Sequence, residues 1–266
     1  MTKKILMFVV IIFLLQPVNY SNTVGHAKNL DIAVHEFCPY LCDRAKENGK
    51  DGYVVDLLRA IYEPFGYRIS FIRVPYKRGL LLVEKGKFHG MPMLNTHSSQ
   101  KIKLSREPIG ILVQNFYVKK GHPWKYKGVS SLKGIKVGSI LGYNYSPWSP
   151  EYETYLRANQ NTDQVEYIAG VDASLINLRK IQIGRITTFN ECADLVDYVV
   201  KKEGMDDQFQ IAGTIGSAMN FMGFSSVNPE AEHLLNVFDR EIIRLRKSGE
   251  LDGILEIYGI SDWVME

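Results

Sequence analysis

The sequence predicts an α/β protein of two lobes with a cleft between them. Strand-like apolar runs alternate with helix-like segments along the chain, which is the pattern of parallel sheets covered by helices. That pattern is also crossed by two longer extended runs, "PIGILVQNFYVKK" (108–120) and "SAMNFMGFSS" (217–226), and it restarts between them. An α/β unit lying between two extended crossings reads as a second lobe, with the crossings as a hinge of two strands. In open α/β sheets ligands bind beyond the carboxyl ends of strands, and facing lobes pool those ends into one cleft.

The elements follow in order. Residues 1–27 carry Lys3 and Lys4, an apolar run from Ile5 to Leu15 and then polar residues. The run is short for a bilayer span but fits the apolar centre of an export signal, with cleavage after Ala27 the preferred expectation and a cut nearer Ser21 the alternative. "LDIAVHEF" (30–37) reads as a buried strand. "GYVVDLLRAIYEPFGY" (52–67) places Val54, Val55, Leu57, Leu58, Ile61 and Phe65 at helical spacing, closed by Pro64 and Gly66. "RISFIRV" (68–74) is a strand, "YKRGLLLVEKGK" (76–87) a helix and "GMPML" (90–94) a third strand. After the first crossing come the strand "IKVGSIL", a helix opening at Gly142, the strand "VEYIAG", the helix "DASLINLRKIQIG", the strand "RITTFN" and the helix "CADLVDYVVKKEG". Two helices close the chain. The first is expected to be capped by Asn228 with Pro229 at its first position, and to end at Gly249. The expected division is a signal over 1–27, lobe 1 over 28–115 and 218–266, and lobe 2 over 116–217.

Removing residues 1–27 takes away Lys3 and Lys4 and no acid, lowering the formal charge from +3 to +1. Such a balance calls for neither nucleic acid nor an anionic membrane. Cys38 and Cys42 would stand ~13 Å apart in an extended chain, beyond disulfide reach, so bridging them needs a bend, for which Pro39 is the candidate. A local clamp is the expectation in an oxidising compartment, with two free thiols the alternative and Cys192 unpaired. No metal site is expected, because no second Cys or His pair stands at ligand spacing.

Several segments resemble one family. They are "GYVVDLLRAIYEPFGY", "VPYKRGLLLVEKGKFHG", "LSREPIG", "SSLKGIKVGSILGYNY", "LRKIQIGRITTF" and "NPEAEHLLNVFDREIIRLRKSGELDGILEIYG". In order and spacing, from about Leu30 to Gly259, the chain is similar to the periplasmic solute-binding proteins of ABC importers, in the polar amino-acid-type group. The resemblance implies an α/β, two-lobed type II periplasmic-binding-protein-like fold with a two-strand hinge and a ligand cleft between lobes. It also implies a periplasmic monomer that delivers a small polar solute to an ABC permease in the inner membrane, with no cofactor and no nucleic acid.

The family's ligand anchors do not carry over. Ser98 or Ser99 falls where amino-acid binders place the Arg that forks onto the carboxylate. Cys192, beside Glu191, falls where they place the Asp that takes the ammonium group. Ordinary α-amino acids are therefore not the expected solute. The expected cleft is lined by Phe37, Tyr40, Tyr76, Arg78, Asn95 and Thr96 from lobe 1. From lobe 2 come Tyr143, Asn144 and Tyr145 at a helix start, with Asn190 and Glu191 at a strand end. Such a cleft suits a polar, stackable solute, with Glu191 available to a cationic group. The leading reading is a solute receptor. A dehydratase-like enzyme on the same fold would need the missing cationic clamp, and a sensory protein presenting its ligand to a membrane receptor is the other alternative.

Overall fold

The computed structural model describes residues 28–170 and 172–264, so the expected export signal lies outside the described residues. Lobe 1 opens with β1 (Lys28–Val34), α1 (Tyr53–Tyr62), β2 (Tyr67–Arg73), α2 (Tyr76–Glu84) and β3 (Gly90–Leu94). The long strand β4 (Ile102–Lys119) leads to β5 (Val137–Ile140), α3 (Pro150–Ala158), β6 (Val165–Ile168), α4 (Ala173–Gln182), β7 (Thr188–Cys192) and α5 (Ala193–Lys202). The chain returns through β8 (Phe209–Ser225) and ends with α6 (Ala231–Ser248) and α7 (Glu250–Glu256).

One eight-stranded sheet, ordered β2-β1-β3-β8-β4-β7-β5-β6, runs through both lobes. Its continuity rests on β4 and β8, which pair antiparallel from Ile102↔Ser225 to Lys119↔Phe209. β3 joins β8 at Phe221–Phe224, whereas β7 joins β4 at Gln114–Tyr117, so opposite ends of one ribbon serve the two lobes. The ribbon's register shifts around Pro108 and again beside Gln114 and Phe116. Bulges of this kind bend and twist a strand pair, and Pro108, which has no N–H to donate, is tolerated at one.

The lobe 1 core packs α1 and α6 on the sheet through Leu57, Leu58, Ile61, Phe224, Phe238 and Ile242. Lobe 2 buries both sheet faces. Phe116, Val137, Tyr152 and Leu156 fill one side, and Leu178, Ile181, Phe189 and Val196 fill the other. Burying a side chain of this size contributes about 1.5–3 kcal/mol, so each lobe has its own apolar core.

Several boundaries differ from the sequence expectation, each for a local reason. β1 stops at Val34 rather than Phe37, because the Phe37–Leu41 turn takes the backbone out of the sheet. β4 begins at Ile102, well before Pro108, because Asp239 Oδ1 on α6 accepts the backbone N–H groups of Arg106 and Glu107 at 2.9 and 3.0 Å and holds this segment extended. The expected helix at Gly142 does not form. Tyr143–Pro147 is a loop, and α3 begins at Pro150 with Ser149 Oγ accepting the N–H of Tyr152 at 3.2 Å. Asn228 makes a turn, its Oδ1 accepting the N–H of Glu230, and α6 starts later at Ala231. Gly249 ends α6 in the left-handed conformation, as read from the sequence.

Candidate functional site

The lobe 1 wall is built at the end of β1. Here Phe37 and Leu41 exchange backbone hydrogen bonds at 2.8 Å each, and a Cys38–Cys42 disulfide with Cα atoms 4.5 Å apart closes the turn. The bend that bridging requires is thus supplied by this tight turn, and the clamp reading holds. The turn aligns aromatic rings in a ladder. Tyr76, at the start of α2, meets His35 edge-on at 5.2 Å; His35 stacks on Phe37 at 5.7 Å; Phe37 stacks on Tyr40 at 4.9 Å. Offset and edge-to-face pairs at such distances add about 0.5–1.5 kcal/mol each beyond area burial.

His35 was not among the residues expected from sequence. Burial, aided by the Arg73 charge, holds its imidazole down at about 4, so it is neutral at physiological pH, and its Nδ1 has no hydrogen-bond partner among the described residues. The available signal was its place at the end of a strand whose carboxyl end faces the cleft.

The remaining lobe 1 residues spread out. Tyr76 shares its hydroxyl with Ser98 Oγ at 3.3 Å, and Ser98 Oγ accepts the N–H of Asn95 at 3.0 Å. Asn95 Oδ1 accepts the N–H of His97, so its side chain closes the turn after β3. Ser99 donates to Glu84 at 2.7 Å. Both serines at the family's Arg position are thus engaged within lobe 1. Arg78 and Thr96 are exposed.

In lobe 2, Asn144 is exposed and accepts hydrogen bonds from the N–H and the hydroxyl of Ser146. Tyr145 departs from its expected place in the cleft. It is 2% exposed and packs edge-on against Tyr152 at 5.3 Å, because the loop before α3 turns it into the core. Tyr143 is 40% exposed and lies near Glu191 and Cys192. Asn190 is fully buried, with both amide atoms unpartnered among the described residues. Glu191 is buried between two helix starts. Its Oε2 accepts from Ser174 Oγ at 2.6 Å on α4, and its Oε1 from the Cys192 N–H at 2.8 Å ahead of α5. Burial lifts its carboxyl to about 7.

The two walls meet at Tyr40. Its ring lies in the lobe 1 core, and its hydroxyl donates to Asp194 Oδ2 at 2.6 Å and sits 3.1 Å from the sulfur of Cys192. Burial raises the Asp194 carboxyl and pushes the Cys192 thiol up to about 12, so that thiol is uncharged. A thiol-specific reagent is therefore expected to leave Cys192 unlabelled in the native protein and to label it once denaturant is added. Labelling without denaturant would contradict this environment.

A model of the bacterial extracellular solute-binding proteins, family 3, matches residues 30–261. The chain belongs to this family. Solved structures share its fold. One is a probable amino-acid ABC transporter extracellular-binding protein from Bacillus subtilis, at 14% identity and TM-score 0.67, covering 89% of this chain and 100% of that one. Another is an ancestral arginine-binding protein bound to arginine, at 21% identity and TM-score 0.65, covering 88% and 99%. A third is a histidine kinase sensor domain with similarity to periplasmic binding proteins, at 17% identity and TM-score 0.66, covering 88% and 96%. No curated protein sequence matches the chain. The family and these neighbours establish the two-lobed type II fold, and the family is one of binding proteins. Among the described residues, no helix is long and apolar enough to cross a membrane.

Proposed function

We propose that this family 3 protein is a periplasmic receptor that closes its lobes on a small polar solute and delivers it to an ABC-type permease. Residues 28–115 and 218–266 form one closing body and residues 116–217 the other. The observation that carries the reading is the ring ladder Tyr76–His35–Phe37–Tyr40, which lines a strand end in lobe 1 and reaches lobe 2 through Tyr40 and Asp194. Aromatic surface with a few placed polar groups is what small-molecule clefts use. Closure needs only that the solute make more contacts in the closed form than in the open one. Phe37, Tyr76, Asn95, Tyr143, Asn144 and Glu191 are the side chains we assign to contact the solute, with His35 added to them.

The chemistry at the family's anchor positions argues against an ordinary α-amino acid. Ser98 and Ser99 bring no positive charge, and Cys192 is an uncharged thiol. A zwitterion placed there loses its hydration with no paired charge in return, at a cost of several kcal/mol. The test is a thermal-melt screen of the mature protein, stripped of carried-over solute, against amino acids, amines, sugars, nucleosides and small carboxylates. A cognate solute at 100 times its Kd adds about 2.7 kcal/mol of stability. The expected result is a shift with a polar solute outside the standard amino acids. A shift with a standard amino acid would overturn the exclusion while keeping the receptor. Silence across all classes would point to a protein partner or a sensory role.

A further inference from the structure

Residues 38–52 form an arm that leaves lobe 1 after β1 and returns at α1. It is fastened at its base by the Cys38–Cys42 disulfide, by the Cys42 N–H to Asp51 O bond at 2.9 Å, and by Asp51 itself, which pairs with Arg44 and Arg59 at 2.9 and 2.7 Å. Along its outer part Arg44, Ala45, Lys46, Asn48, Gly49 and Lys50 are exposed, as a surface loop should be. Glu47 alone among them is buried, at 9% exposure. A glutamate is buried when it is paired, and the partners of Glu47 belong to the other lobe. Tyr198 donates its hydroxyl to Glu47 Oε2, and Lys202 Nζ lies 2.6 Å from Oε1. Both sit on α5, the helix whose start already receives Tyr40 through Asp194. α5 is also shared in its apolar packing. Leu195 is buried in the lobe 1 core cluster, Val196 belongs to lobe 2, and Val199 packs against both.

We infer that the 38–52 arm is a strap that holds the lobes together without solute, fastened at Glu47 to Tyr198 and Lys202. The covalent links between lobes are the β4 and β8 crossings; the strap adds a non-covalent link at the far end of α5. Opening the cleft must pull Glu47 out of its site, so the strap sets the closed fraction before any solute arrives. It also lowers the solute's share of the closing work, because a ligand that finds the competent state populated binds with less loss of affinity. This inference concerns the solute-free protein and stands or falls separately from what the cleft binds.

Small-angle X-ray scattering of the solute-free mature protein tests it. The parent is expected to scatter as a compact particle, near the radius of gyration of about 18 Å typical of ~240 residues, and Glu47→Ala to rise by roughly 1 Å as lobes part. Glu47→Lys combined with Lys202→Glu should restore the compact value, since the pair is remade in reverse and the Tyr198 hydroxyl can accept from the new ammonium group. Circular dichroism checks that each variant is folded. Should Glu47→Ala fail to fold, Tyr198→Phe with Lys202→Met removes the same fastening from the outside of α5 and must give the same expansion. An unchanged radius in the folded variants would overturn the strap, as would a parent that is already expanded.

Discussion

Gly52→Ala is expected to destabilise the protein by about 4 kcal/mol, the sum of a backbone strain and a collision of roughly 1–3 kcal/mol each. Gly52 has φ 97° and ψ 145°, a conformation that only glycine adopts readily. A Cβ there would stand 2.4 Å from Tyr40 O, 2.7 Å from Tyr40 C and 2.8 Å from Cys42 N. All three are backbone atoms with no freedom to yield. Tyr40 O accepts the N–H of Val54 at 3.1 Å, Cys42 N donates to Asp51 O at 2.9 Å, and the disulfide closes the turn between them. Gly49→Ala is the comparison that separates the two effects. It also has positive φ, at 87°, but nothing lies within 4 Å of its Cβ position, so it should cost only the conformational part, about 1 kcal/mol. Urea denaturation of both variants measures the difference. Equal midpoints would mean that the Tyr40 turn is not packed against Gly52.

The alternation of short apolar strands with helices was legible in the sequence because each element carries its own period. α1 shows this well: Val54, Val55, Leu57, Leu58 and Ile61 are all buried along one helix. The two crossings were legible for the same reason, though shorter than they are. The extra start of β4 mixes the apolar Ile102 and Leu104 with Lys103, Ser105, Arg106 and Glu107, and it stays extended because Asp239 on α6 holds the backbone of Arg106 and Glu107, a contact across 133 residues from Arg106. The loop after β5 was misread for want of such information. Gly142 invited a helix, whereas Ser149 and Pro150 carry the actual start.

At the site, strand-end residues could be named, but the direction of each side chain could not. Tyr143 and Tyr145 are two residues apart in one loop, yet one is part-exposed beside Glu191 and the other is core. Glu191 read as a free cleft acid because its partner Ser174 lies 17 residues earlier, on a different helix. Glu47 gave no signal at all, since Lys202 is 155 residues away. Local pattern reports burial; it does not report which distant group meets a buried charge.

Glu191→Gln is expected to flatten the protein's pH profile and to raise stability above neutrality by up to roughly 3 kcal/mol relative to the parent. Burial lifts the Glu191 carboxyl from an ordinary 4.5 to about 7 in the folded protein. Between those values the folded chain keeps a proton that the unfolded chain has released, so stability falls as pH rises from about 4.5 to about 7 and is flat beyond. The two helix starts work against the loss, because the Cys192 N–H and the first turn of α4 favour a negative charge. Glutamine keeps both contacts without the titration: its oxygen accepts the Cys192 N–H, and its NH2 donates to a reoriented Ser174 hydroxyl. Denaturation at pH 5 and pH 8 should therefore find the two proteins alike at the lower pH and separated at the higher. A parent with no fall across that window, or a variant that falls just as far, would show that Glu191 is ionised throughout. In that case a fixed negative charge would stand beside Tyr143, and a cationic solute would become the first class to test in the cleft.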